Sequence, residues 1–221
     1  MTQTRAERAR HQREHIAGAA HRLFLDRGYE ATSYQDIATA AGIERNLVQY
    51  YFPKKDGLVL GLLDTLLRAA ERAVAPHSAG QDVFVHLHQV AQVYFGFLLD
   101  ERVRALTLDV VSSRRMTDEI ILFDETWLRE RLGPAVGSWS QFTQDMTMAV
   151  GGAYELCYQS LAHHTELDAR DLSTRLLLAF MASADQDLPA ARTLLARSRL
   201  DDAAFRAAIN AVHRAGADGP G

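Results

Sequence analysis

The side chains that carry most catalytic chemistry are present in this sequence, but their spacing matches no catalytic arrangement. The single cysteine, Cys157, shares a predicted helix face with Tyr154 and Leu161, which predicts a buried structural thiol rather than a nucleophile. None of the nine histidines follows a glutamate by three positions, as the carboxylate-bridged metal sites of helical bundles require. The motifs G-x-G-x-x-G, G-x-S-x-G, H-E-x-x-H and the P-loop lysine motif are also missing. We therefore expect no enzymatic activity, no metal site and no cofactor.

The groups that favour a binding function lie close together in one short segment. Arg45, Asn46 and Gln49 carry guanidinium and amide groups, which hydrogen-bond to the edges of bases. Lys54 and Lys55 follow a few residues later and are the only lysines of the chain. Whether these groups meet a nucleic acid depends on the elements that present them.

The net charge of the chain is distributed unevenly. The formal charge of the whole chain is -4. Residues 1–57 hold nine basic and seven acidic side chains, which leaves +2 there and -6 on the remainder. A basic end on an acidic body favours contact with phosphates, because such contact depends on local positive charge. Taken alone this is weak evidence, since a charged run is usually a solvated surface.

Helical signals dominate the elements around the basic segment. Alanine and leucine are frequent, alternating β-branched residues are nearly absent and only five prolines occur, so we expect an all-α protein. The first helix is predicted over residues 8–27, and Gly28 ends it with a left-handed cap. Thr32 is predicted to begin the second helix, because Gln35 completes a capping-box pattern.

A tight turn is predicted between the second and third helices. Gly42 takes the positive φ that a steep helix crossing needs, and Ile43 anchors the turn in a small core. The third helix is predicted over residues 44–51 and ends before Pro53.

The rest of the chain is predicted to form a larger helical domain over residues 58–215. Its helices are expected from Lys55 to Pro76, over 83–98, 102–115 and 117–132, along the apolar stripe from Phe142 to Leu161, over 171–184, and from Pro189 and Asp201 onward. Gly151 and Gly152 interrupt one of these helices at about 1 kcal/mol each, so the pair marks a close crossing, a kink or room for a ligand. Residues 216–221 are predicted to be a disordered tail.

The sequence predicts a cytoplasmic protein without a membrane segment. No stretch approaches the roughly 18 uninterrupted apolar residues that a membrane-spanning helix needs. The first residues, MTQTRAERARHQREH, lack the apolar segment of a secretory signal.

One stretch of the sequence resembles the DNA-binding region of the tetracycline-repressor family. It spans residues 16–58 and reads IAGAAHRLFLDRGYEATSYQDIATAAGIERNLVQYYFPKKDGL. The pairs Gly-Tyr and Thr-Ser, then Asp-Ile-Ala, Ala-Gly-Ile, Tyr-Phe and Lys-Asp before Leu, follow in the family's order without a gap. The resemblance implies a three-helix helix-turn-helix domain over residues 8–57, with its motif at about 34–53 and its third helix in the major groove.

In such a domain the side chains near the start of the third helix meet base edges. Arg45 is then expected to pair with guanine, while Asn46 and Gln49 recognise bases or bond to the DNA backbone. The resemblance implies a larger set of DNA-contacting residues: Thr32, Ser33, Arg45, Asn46, Leu47, Gln49, Tyr50 and Lys55.

Within that set, Thr32, Tyr50 and Lys55 resemble the family's phosphate-contacting positions. Lys55 stands at the start of the fourth helix, so its charge and the free N–H groups of the helix are expected to bind phosphates of the same DNA strand. Three departures from the family pattern leave the operator sequence open. Glu44 stands where many relatives carry a serine cap, and Gln49 stands where a tyrosine is frequent. Leu47 replaces a usual small hydroxyl residue, so it either loses a phosphate bond or gains contact with a thymine methyl group.

For the second domain the resemblance implies a ligand pocket and a dimer interface of two helices per subunit. The residues expected to line the pocket are Phe84, Tyr94, Phe97, Trp127, Met146 and Tyr154. The residues expected in the dimer interface are Tyr158, Leu161, Leu177, Phe180 and Met181.

The function implied is that of a homodimeric repressor, which a small-molecule effector releases from a palindromic operator in double-stranded DNA. A DNA-binding adaptor or structural protein of the same fold, with no small-molecule inducer, is the alternative. Ligand-dependent release of the operator distinguishes the two.

Overall fold

Eleven α-helices form the part of the protein that the structure, a computed structural model, describes: residues 4–219. This part contains no β-strand, which confirms the predicted all-α class. The helices are α1 Arg5–Arg27, α2 Tyr34–Ala41, α3 Arg45–Tyr51, α4 Asp56–Ser78, α5 Val83–Leu98, α6 Arg104–Val111, α7 Arg114–Leu132, α8 Trp139–His163, α9 Ala169–Ser183, α10 Leu188–Arg197 and α11 Asp202–Asp218.

Helix α1 begins three residues before the predicted start because Thr4 caps it. The hydroxyl of Thr4 accepts from the N–H of Glu7 at 3.2 Å, and the Glu7 carboxylate accepts from the N–H of Thr4 at 2.7 Å. At the other end Gly28 has a φ of 91° and donates its N–H to Phe24, so the predicted end of the helix is correct.

Helix α2 is capped by Ser33, and the predicted cap at Thr32 is wrong. The Ser33 hydroxyl accepts from the N–H of Asp36 at 3.2 Å, and the Asp36 carboxylate accepts from the N–H of Ser33 at 2.8 Å. Asp36 occupies the N3 position of this capping box, one residue after Gln35, and the Thr32 hydroxyl instead donates to the Gly28 carbonyl. The helix therefore starts one residue later than the Thr32 pattern predicted.

The turn between α2 and α3 has the predicted chemistry. Gly42 lies in the left-handed region with a φ of 63° and a ψ of 36°, and the N–H of Ile43 donates to the Ala38 carbonyl at 3.0 Å. The first three helices close around a small apolar core of Ile16, Ala20, Phe24, Tyr29, Ile37, Ala38, Val48 and Phe52.

Helix α4 connects this core to the rest of the molecule. It packs against α1 on the N-terminal side and against α5 and α11 on the other side. The predicted stop at Pro76 is wrong, because the helix continues to Ser78. A proline near the end of a helix removes only one backbone hydrogen bond, so the last turn tolerates it.

Helix α5 lies at the centre of the larger helical part, as its broad apolar arc predicted. It contacts α4, α9, α10 and α11. Most of its side chains are buried, including Phe84, Tyr94 and Phe97. Within residues 4–219, no helix is long and apolar enough to cross a lipid bilayer.

The C-terminal segment is helical, which corrects the predicted disordered tail. Helix α11 extends to Asp218, and Gly216 is buried so closely that a Cβ there would lie 3.0 Å from Leu25 and 3.2 Å from Leu66. The absence of a side chain allows α11 to pack against α1 and α4. Residues 220–221 of the predicted tail lie outside the described residues.

Candidate nucleic-acid interface and internal cavity

The exposed face of α3 carries most of the side chains that the sequence predicts to contact DNA. Arg45 and Asn46 occupy the first turn of this helix, and both are exposed. Gln49 and Tyr50 are exposed at its end, and Tyr50 keeps 75% of its surface accessible. Val48 is fully buried on the opposite side, so it fastens the helix to the core and directs the polar residues outward.

Two residues at the start of α3, Glu44 and Leu47, add a charged and an apolar group to its surface. Glu44 is the N-cap residue and is exposed, and its carboxylate makes no cap hydrogen bond. Leu47 is half-buried, so part of its side chain remains at the surface beside Asn46. The surface of α3 therefore combines polar groups with one apolar patch.

The ammonium group of Lys55 lies partly inside the domain. Its Nζ donates to the carbonyl of Tyr29 at 2.8 Å and to the carbonyl of Thr32 at 2.9 Å. It also lies 3.9 Å from the centroid of the Tyr29 ring. Burial lowers the pKa of Lys55 from its usual value. Lys55 thus ties the loop before α2 to the start of α4, whereas Lys54 is exposed.

The hydroxyl of Thr32 is not free to reach a phosphate, which corrects its expected role. It is fully buried and donates to the Gly28 carbonyl at 2.8 Å. The N–H of Thr32 donates to the Tyr29 carbonyl at 3.2 Å. Ser33 is exposed, but its hydroxyl donates to Asp36 at 2.7 Å as part of the cap.

A contact that the sequence did not reveal joins the first three helices to α7. Asp56, at the start of α4, is buried and accepts a hydrogen bond from the Tyr29 hydroxyl at 2.6 Å. The same carboxylate forms an ion pair with Arg115 in the first turn of α7. No local pattern indicates this pair, because its members lie far apart in the sequence.

An internal cavity of about 60 Å³ lies among α4, α5, α7, α8 and α9. Its walls are predominantly apolar. The lining residues are Leu67, Leu87, Val90, Ala91, Tyr94, Phe95, Asp124, Trp127, Leu128, Val150, Tyr154, Leu176, Leu177 and Phe180.

Three of the six predicted pocket residues, Tyr94, Trp127 and Tyr154, line this cavity together. Phe97 lines a second space of about 20 Å³, to which Tyr94 and Tyr154 also contribute. Phe84 and Met146 are buried outside both cavities. The structure therefore brings Tyr94, Trp127 and Tyr154 together and leaves Phe84 and Met146 elsewhere in the core.

The polar corner of the cavity consists of two tyrosines and one carboxylate. The Tyr154 hydroxyl donates to Oδ2 of Asp124 at 3.1 Å, and the hydroxyls of Tyr94 and Tyr154 lie 3.1 Å apart. Burial raises the pKa of Asp124 to about 7 and raises the pKa of Tyr94 well above its usual range. Nε1 of Trp127 is buried without a hydrogen-bond partner. No local sequence pattern distinguishes Asp124, which lies in an otherwise amphipathic helix.

The predicted dimer residues are mostly core residues of the chain itself, which corrects that expectation. Leu161, Leu177, Phe180 and Met181 are all nearly inaccessible, and Leu177 and Phe180 line the cavity. Tyr158 is half-buried. Their helical spacing correctly indicated a buried face, but the face packs inside the chain.

The opposite face of α8 and α9 is exposed and rich in small residues. Met148 is 70% exposed and Leu156 is 41% exposed. At Gly151 and Gly152 a Cβ atom would meet nothing within 4 Å, so the pair marks neither a close crossing within the chain nor a wall of the cavity. A shallow groove on this face is lined by Asp145, Met148, Ala149, Ala179, Ala182 and Ser183.

Burial also accounts for the single cysteine. The Cys157 side chain is inaccessible, and burial raises the pKa of its thiol to about 12, so the thiol stays protonated and unreactive at neutral pH. Across residues 4–219, no three His, Cys, Asp or Glu side chains lie close enough together to hold a metal ion.

Comparison with known proteins gives consistent matches. The sequence model described as bacterial regulatory proteins, tetR family, matches residues 16–62. The HTH-type transcriptional regulator TtgR of Pseudomonas putida is 31% identical over 124 residues, which make up 54% of this chain and 59% of TtgR. The HTH-type transcriptional regulator EthR of Mycobacterium tuberculosis is 37% identical over 59 residues, or 27% of each chain.

Among solved structures, a tetR-family transcriptional regulator from Streptomyces coelicolor aligns with a TM-score of 0.46 and 22% identity, and the alignment covers 86% of this chain and 88% of that one. The aligned part of this chain spans 59% of the length of TtgR.

Proposed function

We propose that this chain, whose residues 16–62 match the sequence model of the tetR family of bacterial regulatory proteins, regulates transcription by binding operator DNA through the exposed face of α3. The observation that carries the proposal is the placement of Arg45, Asn46 and Gln49 on the surface of a short helix. That helix is held by a buried Val48 and follows a left-handed turn at Gly42. This is the geometry in which a recognition helix enters the major groove.

On this proposal the contacts of α3 divide into base readers and phosphate contacts. Arg45 pairs with guanine, because its guanidinium stands at the start of the helix, the end that meets base edges. Tyr50 and the exposed Lys54 contact phosphates on either side of the groove. Lys55 contributes mainly by holding the loop before α2 in place, since two of its three donors bind carbonyl groups.

We further propose that the protein is a homodimer that pairs through the exposed face of α8 and α9. The glycines and alanines of this face allow close helix approach, and Met148 and Leu156 supply apolar area that is exposed in the single chain. A two-fold dimer places two α3 helices about 34 Å apart, which matches one turn of DNA and a palindromic operator.

We propose that a small molecule in the internal cavity releases the operator by moving α7. Helix α7 provides Asp124, Trp127 and Leu128 to the cavity wall, and its first turn carries Arg115, which pairs with Asp56. A ligand that fits the cavity better when α7 has shifted favours a conformer with a different position of α3. Such a ligand must bind the two conformers with different affinity, since otherwise it shifts no population.

The alternative of a regulator without a small-molecule inducer is favoured by one observation. The cavity of about 60 Å³ is smaller than the roughly 300–1,000 Å³ of typical ligand sites. On the first proposal the ligand enlarges it by displacing α7. On the alternative, no small molecule lowers the affinity for the operator.

Selection of bound sequences from a random pool of duplex DNA tests the DNA-binding proposal. The protein is expected to enrich a palindrome, and Arg45→Ala is expected to reduce binding to it by roughly tenfold while affecting unrelated duplexes less. Arg72→Ala, which removes an exposed arginine of α4, serves as the matched control and is expected to change neither. Equal losses on every duplex for Arg45→Ala would contradict a base-reading role, and no enrichment at low salt would contradict the proposed function.

A further inference from the structure

The internal cavity has one acidic group and no basic partner for it. Asp124 is the single charged side chain among the cavity-lining residues. Within residues 4–219 its carboxylate forms no ion pair, and its one hydrogen bond comes from Tyr154 to Oδ2. Trp127, also on the cavity wall, lies under the guanidinium of Arg131, but Arg131 pairs with Glu71 of α4 at 2.6 Å. The negative charge of Asp124 is therefore not neutralised from within the chain.

The hydrogen bonds of the tyrosine hydroxyls near Asp124 all point toward its carboxylate. Because Tyr154 donates to Asp124, its oxygen is left to accept from Tyr94. This chain of donors ends on Oδ2, and Oδ1 accepts no hydrogen bond from any residue that the structure describes. Burial raises the pKa of this carboxyl to about 7, which is the consequence expected of a carboxylate without a cation.

The rest of the cavity combines apolar and aromatic side chains. Leu67, Leu87 and Val90 form an aliphatic wall, and the rings of Phe95 and Trp127 lie on the same cavity. Aromatic faces attract cations, and the attraction is stronger where water is excluded. An anionic ligand finds no basic side chain among the lining residues.

We propose that this cavity binds an apolar molecule carrying a protonated amine, with the ammonium group on Asp124 and the hydrocarbon part among Leu67, Leu87 and Val90. This inference rests on the proposed function in one respect: the proposed function identifies the cavity as the site where the effector binds. The small volume restricts the ligand near Asp124 to an ammonium group and a slender chain. A bulkier ligand must displace α7, which carries Asp124 itself.

The test compares three six-carbon probes of nearly equal size and different charge. Hexylamine is cationic, 1-hexanol is neutral and hexanoate is anionic at pH 8. Each is titrated into the full-length protein without DNA, and the fluorescence of Trp127 is followed in a Trp139→Phe background. We expect hexylamine to bind at least about tenfold more tightly than 1-hexanol, because a charge-assisted hydrogen bond exceeds a neutral one, and hexanoate to bind more weakly than 1-hexanol.

Asp124→Asn is the decisive variant, since it keeps the shape of the side chain and removes its charge. It is expected to reduce the affinity for hexylamine to within about threefold of the affinity for 1-hexanol. Asp118→Asn removes an exposed carboxylate from the same helix and is expected to keep the preference for the amine. Helix content and melting temperature of both variants verify that each is folded.

Equal affinity for hexylamine and 1-hexanol, an unchanged amine preference in Asp124→Asn, or no binding of any probe would each overturn the proposal. None of these outcomes affects the DNA-binding proposal, because operator binding is measured separately on the ligand-free protein. Conversely, the protein could bind no DNA and still bind hexylamine more tightly than 1-hexanol in a manner that depends on Asp124. That result would support the cavity assignment and contradict the proposed function.

Discussion

At the scale of single residues, Asp124 shows how a carboxylate without a basic partner opposes the stability of the fold. Its carboxyl is placed where ionisation is costly, and no basic side chain lowers that cost. A hydrophobic or amide side chain at this position would suit the folded state better in the absence of a ligand. The carboxylate thus has the properties of a group kept for recognition rather than for packing.

This placement predicts a pH-dependent cost of folding. The pKa of Asp124 is about 7 in the folded protein and near 3.8 when unfolded, so the folded state holds the extra proton between these values. Its contribution to stability is therefore lost as pH rises from about 4 to about 7. Asp124→Asn is expected to be more stable than the wild type at pH 8. The difference in unfolding free energy between variant and wild type is expected to be about 2–3 kcal/mol more favourable to the variant at pH 8 than at pH 5. Denaturant unfolding at both pH values measures this difference.

The control for this prediction is Asp118→Asn, which replaces an exposed carboxylate paired with Arg114 on the same helix. Its stability relative to the wild type is expected to change little between pH 5 and pH 8. A stability difference for Asp124→Asn that stayed constant with pH would show that burial of the carboxylate is not its cause.

At the scale of elements, α7 is the part of the fold best placed to transmit a change in the cavity. Ion pairs fasten it to α4 at both ends, through Arg115 and Asp56 in its first turn and through Arg131 and Glu71 in its last. Between these pairs it presents Asp124, Trp127 and Leu128 to the cavity. Asp56 also accepts a hydrogen bond from the hydroxyl of Tyr29, so this carboxylate links α7 to the loop between α1 and α2.

Removal of the first of these pairs is expected to uncouple the two sites. In Arg115→Met, the affinity of the cavity for hexylamine is expected to remain within about twofold of the wild type. The reduction in operator affinity that the amine causes is expected to shrink by at least about fivefold, because the coupling free energy is lost with the contact. Titration of labelled operator DNA with and without saturating amine measures both quantities.

Arg114→Met provides the matched comparison. Arg114 precedes Arg115, is highly exposed and, within residues 4–219, pairs only with Asp118 on its own helix. This variant is expected to keep the full response to the amine. If Arg115→Met kept the response as well, the link through Asp56 would not be the route between the two sites.

At the scale of the whole molecule, an apolar surface on α8 and α9 has no covering element within residues 4–219. The exposed face of α8 and α9 carries Met148, Leu156 and the Gly151–Gly152 pair, while the predicted interface residues lie in the core. An operator with two half-sites needs two copies of α3, which a single chain does not supply. In the proposed dimer, pairing through this face would cover the apolar surface and would supply the second copy of α3.

A charge on this surface is expected to separate the subunits. Met148→Glu places one carboxylate from each subunit in the proposed interface, where burial without a cation is unfavourable, and is expected to weaken dimerisation by roughly 100-fold. Leu122→Glu alters another exposed apolar residue, on α7, and is expected to leave the dimer intact. Sedimentation at micromolar concentration distinguishes the monomer from the dimer. If both variants sedimented as dimers like the wild type, the exposed face of α8 and α9 would not be the dimer interface.

Local sequence patterns predicted the parts of the structure whose determinants lie within a few residues. The cap at Gly28, the left-handed turn at Gly42 and the exposed polar face of α3 all follow from neighbouring residues. The resemblance over residues 16–58 is confirmed by the match to the family. Even here the helix cap lies at Ser33 and not at Thr32, because Ser33 and Asp36 form the capping box while the Thr32 hydroxyl donates to the Gly28 carbonyl.

The chain alone thus determined its all-α class, most of its helices and the surface that carries Arg45. The tertiary structure decided which residues share a site: the pair of Asp56 with Arg115, the cluster of Asp124 with Tyr94 and Tyr154, and the inward position of Leu177. The physical reason is that an apolar stripe shows that a helix face is buried, but not what buries it. That choice depends on how distant helices pack, and it is made by the whole chain at once.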